Sequence, residues 1–126
     1  MQLTEKHEKW LIILVSLHSL SIAAAFFSGP HILVRFGGWE RIEPVFFAYQ
    51  AGAFHVALAT AYLIEYFKYR GIAVMLAAKS IAFVFLLVTP IFVPVPWAVP
   101  FSGVADGAMA LLVWWVHRKV GASSSS

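Results

Sequence analysis

Hydrophobic and polar positions along this chain do not alternate; they come in blocks. Apolar runs over 10–28, 45–67, 71–93 and 97–117 are separated by short polar joints that carry Gly or Pro. Each run approaches the ~20 residues a helix needs to cross ~30 Å of hydrocarbon. The pattern predicts an all-α fold, an integral membrane four-helix bundle. "SGPH" at Ser28–His31 ends the first run, because Gly and Pro stop helices. Pro44 in "EPVF" suits the first turn of the second. "KYRG" turns the chain between the second and third runs, and "TPIFVPVPWAVP" between the third and fourth. Pro90 is expected to end or kink the third helix, and Pro100 to lie in the first turn of the fourth. The connection 29–43, "GPHILVRFGGWERIE", is too apolar for a free linker. It predicts an interfacial helix or partly re-entrant segment, with "FGGW" as the hinge that returns the chain, or else a surface loop with an apolar anchor.

Residues 1–119 read as a single transmembrane domain and 120–126 as a polar, solvated tail. The first span reads as a retained helix rather than a cleaved signal, since no small-residue cleavage site leads into a soluble domain.

Composition agrees with this picture. Of 126 residues, 61% are hydrophobic and 12% charged, so a soluble domain of this size would lack the polar surface to cover its core. The absence of cysteine excludes thiol catalysis, disulfide relays, Fe–S clusters and thioether-linked haem. The net charge of +3 has a topological reading. Lys6, Lys9, Lys68, Arg70, Arg118 and Lys119 fall on the side of the two termini, and only Arg35 and Arg41 on the other. The positive-inside rule therefore places both termini in the cytoplasm. Basic residues that flank spans leave no nucleic-acid footprint; the expected partner is the lipid bilayer, with a homodimer or a larger membrane assembly open.

Within the apolar blocks, each of the four predicted spans places one ionisable residue near the same level. Counted from the terminus side at ~1.5 Å per residue, Lys79 and His18 lie about 12 Å in and Asp106 and His55 about 16 Å. One shared depth predicts a polar cluster inside the bundle. A charge at mid-membrane costs roughly 2.5–3.5 kcal/mol or more, and Lys79 and Asp106, on adjacent antiparallel helices, are the natural pair to offset it. The competing reading is that the pair only fixes helix register. His18 and His55 are candidate ligand-binding or proton-relay residues. Bis-histidine haem ligation is chemically conceivable, but hydrogen bonds across helices are the better reading of two isolated histidines. No carboxylate shares a metal-ligand spacing with either, so no metal site is expected. Gly103 and Gly107 form a GxxxG that brings helices close, within the bundle or at a homodimer face. Tyr49 and Gln50, with Glu40, Arg41, Glu43 and Ser102, could line a pocket on the far side, although an ordinary interfacial belt suits them better.

The stretches "RIEPVFFAYQAGAFHVALATAYLIEY", "GIAVMLAAKSIAFVFLLV" and "GVADGAMALLVWWVHRK" resemble a group of small four-span bacterial membrane proteins, distantly DoxX-like. Arg41, Tyr62, Leu63, Lys79 and Asp106 match the group's marked positions; "AD" at Ala105–Asp106 departs from its Gly–Asp. The resemblance covers 41–119. It implies a multi-pass protein of the cell inner membrane. DoxX-like proteins are linked to quinone-coupled oxidation, which implies an apolar or quinone-like ligand near Lys79, Asp106, His55, His18 and Tyr49. The activity itself stays open between ligand binding, proton-coupled or small-solute transport as a dimer, and a structural role in a membrane complex.

Overall fold

The computed structural model describes residues 2–124. Among these described residues five helices follow one another: α1 (Glu5–Ser28), α2 (Pro30–Phe36), α3 (Phe46–Tyr69), α4 (Ala73–Phe92) and α5 (Ala98–Ser124). Four of them, all but α2, are long and apolar enough to cross a membrane. They form two tight pairs, α1 on α3 and α4 on α5, joined by lighter α1–α5 and α3–α4 packing.

The surface is inverted relative to a soluble protein. Trp10, Phe85, Phe101 and Leu111 stand exposed, while Glu8 and Lys79 are buried. Burying charge and exposing aromatic side chains is unfavourable in water. It is favourable where hydrocarbon surrounds the helices, so the protein is a membrane protein.

Local chemistry sets the helix ends. The backbone N–H of Thr4 donates to Nδ1 of His7, three residues on, at the start of α1. Gly29 ends α1 and precedes Pro30, the first residue of α2, a position where the missing N–H costs nothing. The expected helix in the 29–43 connection is α2. It buries Pro30 and Val34 and leaves Ile32 and Phe36 outside. The "FGGW" hinge is Gly38, at φ +96; a Cβ there would lie 2.7 Å from Pro96, so only glycine fits. Pro100 lies in the first turn of α5, as expected. Pro90 does not stop α4 at once; the helix ends two residues later, at Phe92.

The tail 120–126 requires correction. α5 runs on to Ser124, and Val120 is buried. A single Gly121 followed by Ala and Ser does not break a helix whose preceding turn is packed. Residues 125–126 lie outside the described residues. Similarly, α1 begins at Glu5 and not near 10, because the charged first turn suits a helix N-terminus.

The joint between α3 and α4 carries a cap that the sequence reading missed. Glu65 Oε2 accepts the N–H of Val74 at 2.8 Å and Oε1 that of Ala73 at 3.1 Å. Gly71 leaves the room for this, since a Cβ there would lie 2.8 Å from Glu65 Oε1. Replacing Glu65 by alanine orphans two N–H groups at the α4 N-terminus. The expected result is a loss of about 1–2 kcal/mol, read from denaturant unfolding in detergent.

The apolar core, Ile12, Val15, Tyr62, Tyr66, Ile72, Met75 and Val113, occupies the half of the bundle near the termini. Beyond Lys79, α4 buries no further residue. The far half is held by contacts within the two pairs and by the α2 connection, where Phe36 meets Trp97 and Gly37 and Gly38 approach Ala98 and Pro96. Gly52 of α3 fits against Phe26 and Phe27 of α1, and Gly103 of α5 against Leu86 and Leu87 of α4.

Candidate functional site

Lys79 and Asp106 meet as the depth count predicts. Lys79 Nζ donates to Asp106 Oδ1 at 2.8 Å, with side chains 5% and 15% exposed. Two features deliver this contact. The Pro-rich turn folds α5 back along α4. The glycines of the GxxxG then let the helices close: a Cβ on Gly107 would overlap the edge of the Phe83 ring at Cδ2, and one on Gly103 would lie 2.9 Å from Leu86 Cβ. The GxxxG face is thus used inside the chain, against α4.

His18 on α1 and His55 on α3 lie close enough to this pair, and to each other, to feel its charges. Four of the five candidates, one from each span, gather at one level. Tyr62, fully buried on α3, also faces the field of Asp106. The histidines differ in setting. His18 is exposed at the edge of the cluster. His55 is half-buried and stacks on Phe26, ring centroids 6.3 Å apart and planes 22° apart.

Among the described residues, two buried side-chain polar atoms have no partner: Nδ1 of His55 and Oγ of Ser19. Ser16, one turn earlier on α1, differs from Ser19 in returning its hydroxyl to the carbonyl of Ile12 at 2.8 Å. In a hydrocarbon setting an unmet polar group is expensive, because no bulk water stands in. Ser19 was missed from the sequence. The signal was its place on the α1 face that also carries Glu8, Ile12, Ser16 and Ala23.

Tyr49 does not join the cluster. It lies six residues before His55 on α3, stacks on Phe27 at 6.2 Å and is 42% exposed. Since six residues span about 9 Å of helix, its hydroxyl belongs to another level. Arg41 and Glu43 form a 3.8 Å pair in which both side chains are largely exposed, worth little by itself.

A second ionisable couple was not foreseen. Glu8, 5% exposed, lies 2.7 Å from His117 Nδ1 near the chain termini. The apolar core separates it from the Lys79–Asp106 level. The two partners stand more than a hundred residues apart in sequence. Among the described residues, no group of three His, Cys, Asp or Glu side chains is arranged to hold a metal ion.

No family model, curated protein or solved structure matches this chain.

Proposed function

We propose that this four-span membrane protein binds a small apolar ligand bearing a carbonyl oxygen, of the quinone class, beside the Lys79–Asp106 pair. The observation that carries the reading is the unpartnered Nδ1 of His55, buried next to a charge pair that already satisfies itself through one carboxylate oxygen. A ligand carbonyl would accept from the imidazole N–H. Phe26 extends the flat aromatic surface along which a ring would lie. His18, at the exposed edge, stands where such a ligand would enter from the bilayer. The distant DoxX-like resemblance, with its quinone link, belongs to this proposal, as do an inner-membrane location and cytoplasmic termini.

The test is a native mass spectrum and absorption spectrum of the gently solubilised protein, followed by titration with a short-chain benzoquinone. The expected result is saturable binding by the native chain and its loss in His55→Phe, with the helical circular dichroism unchanged. Absence of binding in the native chain would remove the reading.

The Glu8–His117 couple favours a second reading, a proton relay in a small-solute transporter. Two ionisable couples at two depths are what such a relay needs. Proteoliposome flux that ignores a pH gradient would discard it.

A further inference from the structure

At the terminus end of the bundle, away from the polar cluster, α1 and α3 enclose a shallow recess lined by Glu5, Lys6, Lys9, Trp10 and Arg70. Three cations face one carboxylate. That carboxylate does little to neutralise them: Glu5 lies 4.0 Å from Arg70, and both side chains are about two-thirds exposed. Two of the three cations sit over rings instead. Lys9 Nζ sits 5.7 Å from the centre of Phe67, and the Arg70 guanidinium 5.6 Å from that of Tyr66. Trp10 and Phe67 stand exposed beside them, on helices that cross the membrane.

The backbone adds a second observation. Arg70 ends α3 in the left-handed conformation, at φ 57. Glycine is the residue that suits this position, and a side chain there carries a conformational cost. An arginine in that place is best explained by what its side chain does.

We propose that this recess binds the headgroup phosphate of an anionic phospholipid from the leaflet on the terminus side. Lys6, Lys9 and Arg70 contact the phosphate oxygens, arginine as a fork and the lysines as point charges. Trp10 and Phe67 lie along the upper acyl chains. Basic clusters where spans meet the interface are suited to this chemistry, and each basic residue is worth about fivefold in lipid retention.

The experiment places the full chain in nanodiscs of phosphatidylcholine or of equal parts phosphatidylcholine and phosphatidylglycerol. Retained lipid is read by native mass spectrometry, and stability from the melting midpoint. The native chain is expected to retain phosphatidylglycerol selectively and to melt higher in its presence. Arg70→Gly suits the left-handed cap, so it is expected to fold as well as the native chain in phosphatidylcholine while holding phosphatidylglycerol about fivefold less. The double variant Lys6→Gln/Lys9→Gln, on the exposed first turns of α1, is expected to hold it about 25-fold less, and serves if Arg70→Gly does not fold. Equal retention of both lipids by the native chain would overturn the proposal, as would a preference that survives in both variants. Equal stabilisation by soluble glycerol 3-phosphate would assign the recess to a free anion and overturn the lipid reading.

Discussion

Asp106→Leu is expected to destabilise the bundle by about 3–5 kcal/mol, measured as unfolding of the detergent-solubilised protein by denaturant. Lys79 is 4% exposed, and Asp106 Oδ1 accepts the hydrogen bond its ammonium donates at 2.8 Å. Leucine in place of that carboxylate leaves an ammonium among apolar side chains with no counter-charge. The Lys79 stem has little room to escape, because its helix is pressed on α5 through Gly103 and Gly107. The double variant Lys79→Met/Asp106→Leu removes both charges and fills similar volume. It is expected to recover most of the loss, since a matched apolar pair in a buried site is often as stable as the ion pair it replaces. The non-additivity of the cycle reports the interaction directly. A single Asp106→Leu variant that unfolds like the native chain would show that Lys79 reaches another partner. The double variant also separates structure from chemistry. If it folds but no longer binds the benzoquinone, the pair serves the ligand; if it folds and binds as before, the pair serves only helix register.

Gly107→Leu is expected to have a comparable effect through sterics alone. A Cβ at 107 already overlaps the edge of the Phe83 ring at Cδ2 and Cε2 and presses on Cγ at 3.1 Å, so the ring must shift to admit it. Overpacking of this kind costs typically 1–3 kcal/mol for added methylene groups, and a whole isobutyl group pushes α4 away from α5. The displacement would also lengthen the Lys79–Asp106 contact, one residue from Gly107. The check is the same unfolding measurement, with Phe83→Ala added to Gly107→Ala as the rescue. If Gly107→Ala is destabilised and the double variant is not, the GxxxG face works within the chain. If Gly107→Leu instead leaves stability unchanged, the α4–α5 contact is not set by these glycines.

Much of this protein is legible along the chain because hydrocarbon imposes a length. Four apolar runs near the spanning length, punctuated by Gly29, Pro44 and the prolines from 90 to 100, determine four membrane helices and their antiparallel order. Antiparallel order with short turns then ties position in sequence to depth. That is why counting residues was enough to bring Lys79 to Asp106, and His18 and His55 to the same level. Depth is a one-dimensional quantity, and the sequence is one-dimensional too.

What depth does not contain is azimuth and helix length. Tyr49 looked like a member of the site because it is polar and near His55, yet six residues of rise and a stack on Phe27 remove it. The Glu8–His117 couple escaped notice because its partners come from the first and last spans, and only the docking of α1 on α5 joins them. Glu65 reads as one more interfacial acid until the turn brings the N-terminus of α4 over it. The tail became helix because Val120 finds a buried place that no local composition announces. The sequence by itself determined the number, order and depth of the spans, since each follows from hydropathy and rise per residue. Only the tertiary structure decided which faces meet, and so which polar groups are satisfied and which, like His55 Nδ1 and Ser19 Oγ, are left for something else to meet. Partnering depends on rotation about each helix axis, and that is set by side chains packing from other helices.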